Sequence, residues 1–153
     1  MDRKTSERIA VLAARAIAGA VLAFSGTLKA AGPAEEFALV IQYYQIVSPE
    51  MALSLATFLP WIELLIGLCL LTGYFTRQAS AAAGGLFLMF IIALGSALAR
   101  GFQLPNCGCF GAGWHPSMST TILMDTGLLL LCALAYVKKD SPLSLDHWCE
   151  KIS

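Results

Sequence analysis

The chain has 153 residues, 58% of them hydrophobic and only 13% charged, with a formal net charge of zero. Soluble domains average about 45–50% apolar and about 25% charged residues, so this much apolar surface calls for lipid as solvent. The absence of a basic block excludes the electrostatic footprint of a nucleic-acid binder, and residues 1–153 carry no repeat or composition break that would mark a second domain.

Four segments reach the roughly 20 apolar residues that a hydrocarbon core of about 30 Å requires. They are expected as helices over 9–31, 49–73, 76–99 and 119–137, because backbone polar groups in lipid must be satisfied within the segment. The fold expected is an all-α, four-transmembrane-helix bundle. The first span follows the basic start "MDRKTSER", but its apolar run exceeds the 7–15 residues (roughly) of a signal-peptide core, and Lys29 stands where cleavage would fall. It reads as a retained helix. Gly19 and Gly26 in the first span, and Gly84, Gly85 and Gly95 in the third, point to close helix approach. Pro60 is expected to kink the second span.

Between the first two spans, Phe37, Ile41 and Tyr44 recur at helical spacing, and Tyr43 and Tyr44 suit a membrane interface. A short interfacial helix is expected in 32–48, either as an anchor or as a cover for the loop that follows the third span.

That loop holds the sharpest motif, "LPNCGCFGAGWHP". Cys107 and Cys109 flank Gly108, with Phe110 and Gly111 following. A disulfide needs Cα atoms about 4.4–6.8 Å apart, which residues two apart can meet in a tight turn that a glycine frees. So small a ring is strained, and strain raises the reduction potential toward exchange chemistry. The same two thiolates also make a pincer for a soft ion such as Cu(I) or Hg(II), with His115 as a candidate third ligand. Cys69 and Cys132 fall inside spans and read as small apolar residues. With Met89 they are the only deep soft donors, too few for a metal relay. Cys149, near His147 in the tail, reads as a lone thiol.

Arg3, Lys4, Arg8, Arg77, Lys138, Lys139 and Lys151 collect on one side of the spans, against Lys29 and Arg100 on the other. The positive-inside rule then places both termini in the cytoplasm and the Cys-Gly-Cys loop outside or in the periplasm, where disulfides persist.

Four ionisable residues lie within the spans: Arg15, Lys29, Glu63 and Asp125. Such groups are costly in a bilayer and face the bundle interior or a polar cavity. Arg15 and Lys29 share a stripe with Gly19, Leu22 and Gly26, while Arg15, near the inner end, has the option of snorkelling. Glu63 lies about 15 Å from Gly73 along its helix, close to the bilayer centre, on one face with Gly67. Pairing of Glu63 with Arg15, or of Asp125 with Lys29, would satisfy both partners. The roles open to these charges are interhelical glue, a proton path and a quinone-side role.

With these residues assembled, the chain resembles the methylamine-utilisation MauE branch of the DoxX-like membrane proteins. The residues that carry the likeness are "FSGTLKA" with Gly26 and Lys29, "LPWIELLIGLCLLTG" with Pro60, Glu63, Gly67 and Gly73, "RGFQLPNCGCFG" from Arg100, and Asp125 in "ILMDTGLLLL". The resemblance implies an inner-membrane redox accessory protein that works with a thioredoxin-like partner in maturing a disulfide-rich client such as the methylamine dehydrogenase small subunit. The wider group includes thiosulfate:quinone oxidoreductase components. Three functions are therefore expected in order: thiol–disulfide exchange through Cys107 and Cys109, with quinone as the natural membrane electron acceptor; soft-metal carriage by the same dithiol; and a non-catalytic assembly module.

Overall fold

A computed structural model describes residues 3–101 and 117–137. Five helices follow in order: α1 (Arg3–Ala31), α2 (Ala34–Tyr43), α3 (Pro49–Thr72), α4 (Thr76–Ala99) and α5 (Met118–Val137). All but α2 are long and apolar enough to cross a membrane. The chain is a multi-pass membrane protein, all-helical among the described residues. The expected spans hold, except that α1 begins two turns earlier. Its extra residues are the polar helix formers of "RKTSER", and Thr5 to Ala10 lie exposed beyond the packed stripe.

Local chemistry sets the helix ends. At the start of α3 the Ser48 hydroxyl accepts from the Met51 amide at 3.4 Å, with Pro49 in the first turn, where its missing N–H costs nothing. Its far end closes on Gly73 in the left-handed region (φ 73°), whose amide and that of Tyr74 both donate to the Cys69 carbonyl. Phe75, also left-handed at φ 48°, completes the turn into α4. Ser117 caps α5, its hydroxyl accepting from the Thr120 amide at 3.3 Å.

The packing inverts the soluble pattern. Many inward positions are small or polar: Ala14, Ala18, Ala52, Ala56, Ala83, Ala97, Ser80 and Thr121 are all buried, beside larger core residues such as Leu22, Leu70 and Phe87. Outward positions are large and apolar, with Phe24, Phe58, Trp61, Leu65, Ile92, Leu123 and Leu130 each more than half exposed. Lipid supplies the solvent for that face, so the bundle's cohesion falls to close packing and polar contacts.

The closest packing joins α1 to α3. A Cβ on Gly67 would stand 2.6 Å from the Ala23 amide nitrogen and 2.8 Å from the Gly19 carbonyl oxygen; one on Gly26 would stand 2.7 Å from the Pro60 carbonyl oxygen. The helix passes through Pro60, and the carbonyl of that residue abuts Gly26 directly. In α4 the glycine expectation fails in part. Gly84 makes ordinary contact with Leu129 and Cys132 of α5, but nothing lies within 4 Å of a Cβ on Gly85 or Gly95. These two glycines sit at positions that no neighbouring helix approaches.

Gly19 lies level with Gly67 to Leu71, and Gly26 with Pro60 to Leu64. Counting outward in antiparallel register, α1 ends opposite about residue 56 of α3. The first two turns of α3, roughly 12 Å at 1.5 Å per residue, therefore stand beyond α1. The interfacial helix α2 packs against this overhang, burying Ala38 and leaving Tyr43 outward at 65% exposure.

Candidate functional site: a buried ion pair beneath a lateral cavity

Residues Ser25, Gly26 and Lys29 fall on the inward stripe of α1, and Glu63 on that of α3. Because Gly26 brings the two backbones into contact at Glu63, Lys29 stands one turn outward of the carboxylate and its side chain reaches back to it. The Lys29 Nζ donates to Glu63 Oε1 at 2.7 Å and to Oε2 at 2.9 Å, and the Ser25 hydroxyl donates to Oε2 at 3.1 Å. Glu63 is fully buried and Lys29 is 6% exposed. Two aromatic faces complete the setting: Nζ lies 5.2 Å from the ring centre of Phe37 on α2 and 4.9 Å from that of Phe90 on α4. Four helices thus converge on one ammonium group.

This pairing replaces both pairs expected from the sequence. Glu63 takes Lys29 and not Arg15, and Lys29 is thereby withdrawn from Asp125. Arg15 is 2% exposed and turned into the bundle, so it does not snorkel; Asp125 is buried on α5. Cys132 sits in the apolar core with Leu22, Leu70, Phe87 and Leu128, and Cys69 packs against it, as their sequence setting implies. Among the described residues no three His, Cys, Asp or Glu side chains gather as a metal site.

Above the ion pair, where α1 has ended, lies a cavity of about 210 Å³. Its floor is Lys29, its roof Phe37 and Ile41 of α2 with Tyr44 at the cap of that helix, and its walls Leu55 and Leu59 of α3 with Met89, Phe90 and Ala93 of α4. The helical spacing of Phe37, Ile41 and Tyr44 read in the sequence is this roof. Sequence reasoning missed the cavity and the contribution of Phe90, which has no signature in a span already rich in apolar residues.

Arg100 forms the C-cap of α4 and donates through Nη2 to the Tyr44 carbonyl, tying the end of α4 to the end of α2. At the opposite end Arg77 lies 4.9 Å over the Tyr136 ring, joining the start of α4 to the end of α5. The C-terminus of α4 and the N-terminus of α5, which bracket the Cys-Gly-Cys segment, are therefore on the cavity side of the bundle. Cys107, Gly108, Cys109, Phe110, Gly111 and His115 themselves lie outside the described residues, as does Cys149.

An apolar bundle of four spanning helices, held by a buried Lys–Glu pair and roofed by a short interfacial helix, defines a small polytopic membrane protein with a polar centre. Residues 7–138 match the family described as Methylamine utilisation protein MauE, and the chain belongs to that family. It is 31% identical over 99 residues to the methylamine utilization protein MauE of Methylorubrum extorquens, covering 65% of this chain and 53% of that protein. To the protein of the same description from Paracoccus denitrificans it is 29% identical over 101 residues, covering 66% and 54%. The chain thus spans about half the length of the curated relatives it matches. No solved structure matches it.

Proposed function

We propose that this protein is a thiol–disulfide redox accessory of the cytoplasmic membrane, exchanging electrons between Cys107–Cys109 and an extracytoplasmic thioredoxin-like protein. The observation that carries the reading is the placement of a dithiol with one-residue spacing between α4 and α5, in a chain of the MauE family. In the exchange, one thiolate attacks a disulfide sulfur of the partner, expelling the partner's second sulfur as thiolate and forming a mixed disulfide. The other cysteine then attacks that bond, which leaves a Cys107–Cys109 disulfide and a reduced partner; the reverse sequence oxidises the partner. The client is a disulfide-containing protein outside the cytoplasm. The relatives' printed description makes proteins of methylamine utilisation the first clients to examine.

Trapping tests this directly. Cys107→Ser and Cys109→Ser variants, acid-quenched in cells and run without reductant, should yield from one of the two a mixed disulfide with a thioredoxin-like protein, identified by mass spectrometry. Trapping from neither variant, with both cysteines needed for stoichiometric Cu(I) binding and for growth that varies with metal supply, would replace exchange with metal carriage.

The proposed orientation rests on seven Lys and Arg residues on one side of the spans against two on the other. A membrane-impermeant maleimide added to mildly reduced intact cells should label Cys107 or Cys109 and spare Cys149. Labelling of Cys149 alone would reverse the orientation.

A further inference from the structure

We infer that the cavity over Lys29 binds the head of a quinone-type lipid, a neutral planar ring whose carbonyl oxygen accepts a hydrogen bond from the Lys29 ammonium. The inference extends the redox reading by adding an electron acceptor, and it is tested by binding alone, so that either can fail without the other.

Three features select the ligand. An ammonium has three N–H donors; Glu63 takes two, and Lys29 also lines the cavity, 4.9 and 5.2 Å from two aromatic rings. Rings offer a cation an attractive face but a weaker partner than an oxygen, which leaves a donor for an acceptor in the cavity. Since Glu63 already neutralises Lys29, a carboxylate or phosphate would put a second anion beside a single buried cation, and a neutral carbonyl avoids that repulsion. The faces of Phe37 and Phe90 favour a flat ring.

Size agrees with this. A cavity of about 150 Å³ lined by apolar side chains holds benzene, and pockets for whole drug-sized ligands run from about 300 Å³ upward. At about 210 Å³ this cavity accommodates one substituted six-membered ring. The tail has an exit: Leu55, Met89 and Ile92 on the rim are 38%, 42% and 62% exposed on the flanks of α3 and α4, where the bilayer would lie. A quinone held there would supply an acceptor for the two electrons and two protons that closing a Cys107–Cys109 disulfide releases.

The test uses the full chain in detergent and a short-tailed 1,4-benzoquinone carrying a photoreactive azide, with crosslinks mapped by mass spectrometry. Crosslinks are expected on the cavity segments 37–47 and 89–94. An unlabelled decyl benzoquinone should compete, and a decyl ester without the ring should not. Ala93→Phe, which fills the cavity without touching the ion pair, should cut labelling at least tenfold while leaving thermal stability unchanged. Lys29→Gln with Glu63→Gln keeps the inner hydrogen bond but removes the ammonium, and should weaken binding several-fold. Equal competition by the ring-free ester would show a site for acyl chains and overturn the inference. So would labelling that survives Ala93→Phe.

Discussion

Glu63→Leu and Lys29→Met should each destabilise the detergent-solubilised protein severely, by about 3–5 kcal/mol, the usual loss when one partner of a buried ion pair is removed. The two losses have different origins. Lys29→Met leaves a fully buried carboxylate whose cation is gone, with the Ser25 hydroxyl at 3.1 Å in its place. Glu63→Leu leaves a buried ammonium whose carboxylate is gone, with the rings of Phe37 and Phe90 as its remaining attraction. The double variant Lys29→Met/Glu63→Leu removes both charges in favour of apolar groups of similar size, and should be close to the parent in stability or above it. The sign of the coupling is therefore the informative quantity in an unfolding titration. Glu63→Gln, which keeps one of the two acceptor oxygens and removes the charge, should fall between parent and Glu63→Leu. If the single losses simply add in the double variant, the residues are not energetically coupled and the 2.7 Å contact does not organise the bundle.

The pairing behind that prediction was not legible in the sequence, for a geometric reason. Depth inferred by counting from helix ends sets Lys29 near the outer surface beside Asp125, and Glu63 near the bilayer centre within reach of Arg15. Such counting assumes that helices begin and end level with one another. Here α3 overshoots α1 by about two turns, so Glu63 is shallow relative to the end of α1, and a lysine in the last turn reaches it. The clue available was the pair of small-residue faces: Gly26 lies three residues before Lys29 and Gly67 four after Glu63. Read together as an interface, they name α1 and α3 as neighbours and set the register that joins Lys29 to Glu63.

The spans themselves were legible because the bilayer fixes both length and composition, leaving few alternative boundaries. The cavity was not, since it arises from an absence: α1 stops, α2 turns across the gap, and side chains from three further segments line what remains. The dithiol is the opposite case. Its chemistry is read from three consecutive residues, and the fold adds only that the ends of α4 and α5 flanking it lie beside Tyr44 and the cavity roof. Proximity of that kind is why exchange and quinone binding belong to one hypothesis while requiring separate tests.

Glycine substitutions should divide sharply by helix, and the division checks the packing on which the ion pair depends. In Gly67→Ala the new methyl would meet the Ala23 nitrogen at 2.6 Å, the Gly19 oxygen at 2.8 Å and the Ala23 Cα at 3.0 Å. All three are backbone atoms, so no rotamer change relieves the clash and α1 must move away from α3. Overpacking costs about 1–3 kcal/mol and occasionally more. Here the upper end is expected, because separating these helices also lengthens the Lys29–Glu63 contact. Gly26→Ala should behave alike, meeting the Pro60 oxygen at 2.7 Å and the Leu64 nitrogen at 2.8 Å. In α4, Gly85→Ala meets nothing within 4 Å, and a helical glycine exchanged for alanine gains up to about 1 kcal/mol of intrinsic helix preference. That variant should match or exceed the parent in an unfolding titration. The contrast cannot come from glycine chemistry, which is the same at both places; it comes from what each glycine faces. Equal losses at Gly67 and Gly85, or a harmless Gly67→Ala, would mean that α1 and α3 do not approach as closely as the Lys29–Glu63 pair requires.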